Sequence, residues 1–556
     1  MATAFKQFME SAKLAGSGKY FLILAIFAFF VFFVGLNSRH LWGGDEPRVA
    51  GIAAETVRCG NWLVPRLNGH DFLEKPPLYF WADAFSIKVF GHNEFAAKLP
   101  SAFAAFLGVL AVFGIGRALG FSKLGAMFAS VMLATSAQYW RCGRKCMIDI
   151  FLAAFIIFAM WAFIELCRSE KLKSKIGWYI LWVLGLGGAI FSKGLVGLAM
   201  PASALFFWLA IDDFWLERKF RINRWIWLFS GSLLCFIPVA VWVWVLYEKV
   251  GYDAVYTVVW TNNFGRFFGS HAEHVEPFYY YFKKLPEQLQ PWTFLLPFAL
   301  AWHGIQVWRQ KSKYSLYMLC WLVIPYLLLM ISAGKRQVYV LPLYAAETLL
   351  IGSMVASALE GKIKLPKIIN LEAVLKVVCT LLCAALIIGS AVFAGLGIYY
   401  SVDYIGLAAP VAMFVAGMIM LFAMLWKRAV LTAMALLFGL AAVFVSIDTA
   451  GFAAFNYKHS YHPMTDFCQT QLDAGKQLYL YKPIERESGA VSFYLEKKVP
   501  SIDSEGLEKL RKSLNAANAI VFARDDNYNT LKDVEVVAKF NIKRSDLYLF
   551  KFKGKK

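Results

Sequence analysis

Stretches of about 20 consecutive apolar residues recur along this 556-residue chain, each long enough as a helix to cross a hydrocarbon layer of ~30 Å. Backbone in lipid must satisfy its own hydrogen bonds, so a chain that repeats such runs folds as a bundle of spanning helices. Composition agrees, with 59% hydrophobic and 17% charged residues, against about 45–50% and 25% in soluble domains. The pattern predicts a polytopic α-helical membrane protein. Its thirteen expected spans lie near 20–36, 99–119, 121–140, 149–167, 176–193, 195–212, 226–248, 292–309, 315–333, 336–358, 371–399, 402–425 and 429–448. The division at "FSKGLVG" (191–197) reads either as a turn or as a break within one longer helix. The first run exceeds a signal-peptide apolar region and is read as a retained span.

Charge assigns the sides. Segments 168–175, 217–224, 309–313, 361–367 and 427–428 are rich in Lys and Arg and would share a side with the N-terminus, which is therefore expected in the cytoplasm. An odd number of spans then puts the C-terminus outside. Two long outer loops, 37–98 and 249–291, carry aromatic and Pro-rich stretches that predict helices lying at the interface. Two domains are expected: a membrane domain over 1–450 and a soluble periplasmic α/β domain over 451–556. In the latter, β-like runs at 478–481, 491–495, 519–523, 534–540 and 547–552 flank a helical pattern at 504–517. The nine cysteines show no metal-binding spacing, although Cys59, Cys142, Cys146 and Cys468 could pair in an oxidising space. No internal repeat argues for an inverted-repeat transporter. The net charge of +20 suits anionic lipid surfaces, nothing calls for a nucleic acid, and a monomer is expected.

Outer loops are ordinarily poor in cations, so the exceptions carry information: Arg48, Lys75, Arg141, Arg144, Lys145, Lys193, Lys335 and Arg336. Each alone can be a snorkelling side chain. Together they suit a shared anionic ligand, and phosphate fits the Arg fork and the Lys point charge. Acids lie among them: Asp45, Glu46, Glu55, Glu74 and Asp149. For Asp45, helix capping ahead of Pro47 competes with chemistry, and for Glu46 a favourable helix-dipole contact does. His271 and His274, beside Glu273 and Glu276, could hold a divalent metal ion, with Glu74 as a further ligand; contact with lipid or sugar is the other reading.

These motifs, in order, carry a family resemblance. "DEPRVAGIAAETVRCGNWLVPRLNGHDFLEKPPLYFW", then "FGHNEFAAKLPSAFAA", "MID", "SKGLVGLAMP", "NNFGRFF…PFYYYFKKLP…PW" and "GKRQVYVLPLY" resemble the GT-C branch that contains the ArnT-type lipid A aminoarabinose transferases, related to the protein O-mannosyltransferases. The resemblance covers the first ~350 residues and leaves the C-terminal domain unmatched. It implies transfer of one sugar from an undecaprenyl-phosphate donor to lipid A phosphate at the periplasmic face of the bacterial inner membrane. It implies catalytic carboxylates at Asp45 and Asp149. Arg48, Lys75, Lys335 and Arg336 would hold the donor phosphate, with Tyr339 or Tyr344 near it. Glu46, Glu74, Arg141, Arg144 and Lys145 would contact substrate or acceptor. The alternatives are a related transferase using another sugar or acceptor (protein O-mannosylation or lipopolysaccharide core) and, further off, a lipid flippase or transporter.

Overall fold

The structure is a computed structural model that describes residues 16–42, 44–269, 274–363, 371–542 and 545–553. It opens with α1 (Ser17–Phe33), followed by two helices that the outer loop places outside the long spans, α2 (Asp45–Cys59) and α3 (Leu78–Phe90). A small antiparallel pair, β1 (Arg66–Leu67) and β2 (His70–Asp71), joins them. The bundle continues with α4 (Glu94–Ala118), α5 (Lys123–Ala134), α6 (Ala137–Gly143), α7 (Ile148–Arg168), α8 (Leu172–Lys193) and α9 (Val196–Ile211). Later helices run to Ser446.

Among the described residues, ten helices are long and apolar enough to cross a membrane by length and composition. The expected spans at 20–36, 121–140 and 292–309 fall instead on helices of 17, 12 and 15 residues, the second broken before α6. The "FSKGLVG" question resolves as a turn between two separate helices. Gly194 takes φ +89°, a left-handed conformation open to glycine, and the Asn263 side chain accepts from the Leu195 N–H at 2.8 Å. The return is tight, since a Cβ on Gly197 would lie 2.3 Å from the Ala189 carbonyl carbon.

The C-terminal unit holds α10 (His462–Asp473), α11 (Glu485–Tyr494) and a five-stranded sheet of β3 (Gln477–Tyr481), β4 (Ser501–Ile502), β5 (Ala519–Arg524), β6 (Val534–Ile542) and β7 (Ser545–Phe552). Its order is β4-β3-β5-β7-β6, parallel in the first three strands and antiparallel beyond. Strand alternation builds a core on each face. Ile520 and Phe522 pack with Met464, Leu480 and Val491, while Val521 and Ala523 pack with Leu507, Leu510 and Phe550.

One strand expected there is absent: "VSFYL" (491–495) lies at the end of α11. Glu487 starts that helix, its carboxylate accepting from the Ile484 N–H at 3.0 Å. Helical backbone also lets Gly489 meet Gly51 of α2. A Cβ on either glycine would stand 2.4–2.5 Å from a carbonyl oxygen of the other helix. Local β-propensity yields to that contact. All nine cysteines are free thiols, and Cys142, Cys146 and Cys468 are buried.

Candidate functional site

The site begins at the start of α2. Gly44, at φ +119°, turns the chain so that Asp45 opens the helix. Asp45 does not cap it. Arg48, one turn on, donates from Nη2 to Asp45 Oδ1 at 2.8 Å, and Arg336 donates from Nη2 to Oδ2 at 2.7 Å. Both carboxylate oxygens are thus held by guanidinium groups, one from the same helix and one from a segment 291 residues beyond Asp45. Burial alone would raise the Asp45 pKa, but Arg48 and Arg336 outweigh it and hold the group below the usual carboxylate range, ionised at neutral pH.

Arg48 also donates from Nη1 to Glu485 Oε2 at 2.5 Å, so the C-terminal unit contributes a side chain to the site. Its guanidinium lies 5.6 Å from the Phe72 ring centroid. Burial opposes the Arg48 charge, but Asp45 and Glu485 reverse that effect and raise its pKa.

A second acid–base pair adjoins the first. Asp149, in the first turn of α7, meets Lys193, the last residue of α8, and that ammonium sits 4.0 Å from the Tyr339 ring centroid. Glu74 pairs with Arg266 at 3.2 Å. Lys75 lies in the fields of Arg266, Lys193, Glu74 and Asp149 but has no hydrogen-bond or ion-pair partner among the described residues. Burial and the two neighbouring cations push its pKa down to about 7. Among the described residues, five cations (Arg48, Lys75, Lys193, Arg266, Arg336) face four carboxylates (Asp45, Glu74, Asp149, Glu485), leaving one positive charge while Lys75 is protonated. A site of that charge complements a singly charged phosphodiester and gains further as the phosphate's charge rises.

The remaining expected residues fall elsewhere. Glu46 is buried and takes a bidentate pair from Arg39, 2.8 Å for each bond. Arg144, 1% exposed, donates to the Val31 and Val34 carbonyls and to Asp448, which stands 304 residues away. Both expected contacts are corrected to structural roles, because every charged end is already engaged inside the protein. Lys145 is half-buried beside Glu46, its pKa lowered by burial, and Arg141 is exposed at the end of α6.

Lys335 is also turned away from ligand binding. Its ammonium donates to the backbone carbonyls of Glu276 (2.9 Å) and Ser332 (2.5 Å). Tyr344 is fully buried. Of the expected metal set, His271 lies outside the described residues, His274 is exposed, and Glu74 is committed to Arg266.

Sequence reasoning left out Arg39, Asp448, Arg266 and Glu485. Arg266 sits in the quoted "NNFGRFF" and could have been found there; the others bear no local signal.

Acids and cations from α2, α7, α8, the segment before Gln337 and the C-terminal unit converge where their helix ends meet. With the spanning bundle and its loop helices, this arrangement defines a polytopic α-helical membrane protein with a small C-terminal sheet domain. Its fold is more particularly that of ArnT. The crystal structure of ArnT from Cupriavidus metallidurans bound to undecaprenyl phosphate superposes with a TM-score of 0.70, covering 96% of this chain and 98% of that one at 21% identity. The apo structure gives 0.67. At such identity the likeness shows the fold alone.

In sequence, the dolichyl-phosphate-mannose-protein mannosyltransferase family matches residues 74–244. Undecaprenyl phosphate-alpha-4-amino-4-deoxy-L-arabinose arabinosyl transferases are similar as well. That of Edwardsiella ictaluri is 30% identical over 354 residues, 62% of this chain and 60% of its own; that of Erwinia tasmaniensis is 29% identical over 344 residues, 60% and 59%. The chain thus aligns over about three-fifths of these relatives' length. The resemblance read from the first ~350 residues holds.

Proposed function

We propose that the protein is a membrane glycosyltransferase that moves one sugar from an undecaprenyl-phosphate donor to an acceptor at the periplasmic face of the bacterial inner membrane. The sugar is 4-amino-4-deoxy-L-arabinose and the acceptor a lipid A phosphate. One observation carries the reading: an ionised Asp45, clamped by Arg48 and Arg336, stands in a cluster whose remaining unpartnered ammonium is Lys75. The relatives' donor and sugar support it.

Breaking the anomeric C–O bond of such a donor leaves a phosphate monoester, whose charge grows toward −2. Lys75, Arg48 and Arg336 stabilise that growing charge more than the ground state, which is what lowers the barrier. A lipid A phosphate is already anionic and needs orientation more than deprotonation. Asp45 therefore fixes Arg48 and Arg336 and offers its carboxylate to the cationic sugar amine. With a hydroxyl acceptor the same carboxylate would serve as general base. That second reading is favoured by the mannosyltransferase match over 74–244, which covers Glu74, Lys75, Asp149 and Lys193.

The test is transfer by the purified protein in detergent from undecaprenyl phosphate-aminoarabinose to lipid A, read by mass spectrometry. A mass gain of one aminoarabinose, lost in Asp45→Asn and Lys75→Ala, is expected. No transfer by folded wild type would reject this donor–acceptor pair.

A further inference from the structure

Away from that cluster, three potential metal ligands meet from distant parts of the chain: His40 in the loop after α1, Glu94 at the start of α4, and His462 at the start of α10. Their ligand atoms all lie within 4.8 Å of one another. We propose that His40, Glu94 and His462 form a zinc site that fastens the C-terminal unit to the membrane bundle. The proposal stands independently of the transfer reading.

The ligand chemistry selects the metal. Two imidazoles and one carboxylate form a borderline set that suits zinc and leaves a fourth, tetrahedral position for water. Tetrahedral bonds of about 2.0–2.2 Å put ligand atoms about 3.3–3.5 Å apart, so small side-chain adjustments from the observed spacing close the set around one ion. Glu94 Oε1 already accepts from His462 Nε2 at 3.2 Å, and the metal would take the place of that proton. The two imidazole centroids are 4.4 Å apart.

Outer groups orient His40 and Glu94 by hydrogen bonds, in the manner of metal-site ligands. His40 Nδ1 hydrogen-bonds Ser460 Oγ at 2.8 Å, which directs its other nitrogen to the cluster. His462 Nδ1 lies 3.9 Å from Asp466. Tyr494 donates its hydroxyl to Glu94 Oε1 at 2.5 Å. The nearest cation, Lys98, approaches the other carboxylate oxygen, Oε2, at 3.4 Å, and is drawn aside by the Leu36 and Arg39 carbonyls. Entry is open, because His40 also lines a polar surface cavity of about 810 Å³ with Ser38, Asp403 and Asn456.

The experiment uses chelator-stripped full-length protein in detergent, titrated with zinc chloride and read by metal content after gel filtration and by melting temperature. One zinc per chain and a zinc-dependent rise in melting temperature are expected. Both should be lost, with affinity at least about tenfold weaker, in His40→Gln and His462→Gln. A His271→Ala/His274→Ala variant should bind as wild type. Where a ligand variant fails to fold, Ser460→Ala serves in its place, with affinity expected about 10–100-fold weaker. Absence of zinc from folded wild type, or undiminished binding in the variants, overturns the proposal.

Discussion

At the scale of single residues, the chemistry turns on Lys75. Arg48 and Arg336 are neutralised by Asp45 and Glu485, whereas Lys75 has no such partner and sits at a pKa of about 7. In the free protein its charge is present below that value and lost as pH rises through it. The donor's kcat/KM, which reports the free enzyme, should therefore fall about tenfold per pH unit above neutrality. Arg stays protonated throughout, so Lys75→Arg should flatten the falling limb, and Lys75→Ala should cost about 10²–10³-fold. A wild-type profile level from about pH 6 to 9 would remove Lys75 from this role. Glu485 gives a prediction of opposite sign. It competes with the donor phosphate for Arg48 across a half-exposed ion pair. Since such pairs contribute little, Glu485→Gln should lower the donor KM by up to about fivefold and leave kcat unchanged. A rise in KM would mean that the carboxylate contacts the substrate.

At the scale of elements, the crossing of α2 and α11 brings Glu485 of the C-terminal unit to the site. The Gly51–Gly489 approach leaves no room for a side chain. Gly489→Val must separate the helices and withdraw Glu485 from Arg48, and overpacking of this kind costs about 1–3 kcal/mol. The expected readout is a lower melting temperature together with protease cleavage near residues 447–461; an unchanged digest would show the crossing to be dispensable. Behind α2, Arg39, Glu46, Arg144 and Asp448 form a buried ion network joining the ends of α1 and α6 to the segment after Ser446. Removing one member strands its partner's charge at a cost of about 3–5 kcal/mol. Arg144→Met should thus destabilise the protein, while a folded fraction keeps its donor KM, because Arg144 does not reach the cluster. These elements also mark what the sequence could tell. Asp45, Arg48, Lys75, Asp149 and Arg336 were legible, since charges at a membrane face need a reason. The roles of Glu46 and Arg144 were not, because composition gives a charge its place in the chain but not its partner hundreds of residues away. The helix at 491–495 was hidden likewise, its local strand preference overruled by a glycine contact with another element.

At the scale of the whole molecule, the spans were legible because lipid thickness imposes a length that sequence must obey. Short helices such as α1 and α5 lie beneath that length and blur the count. Orientation is the next consequence. The ends of α1, α8 and the helix at 313–331 meet the starts of α4, α7 and the C-terminal unit in one charged face. The Lys- and Arg-rich segments 168–175, 217–224, 309–313 and 427–428 lie at the opposite ends of the helices, so the charge rule directs the cluster away from the cytoplasm. Cys59, the exposed cysteine at the end of α2, is a native reporter of that face. In spheroplasts a membrane-impermeant maleimide should label wild type and lose its signal in Cys59→Ser. In that background Lys171→Cys, on the exposed segment before α8, should react only after permeabilisation. The reverse pattern would put the cluster in the cytoplasm, out of reach of an acceptor in the outer leaflet, and the proposed transfer would lose its substrate along with its orientation.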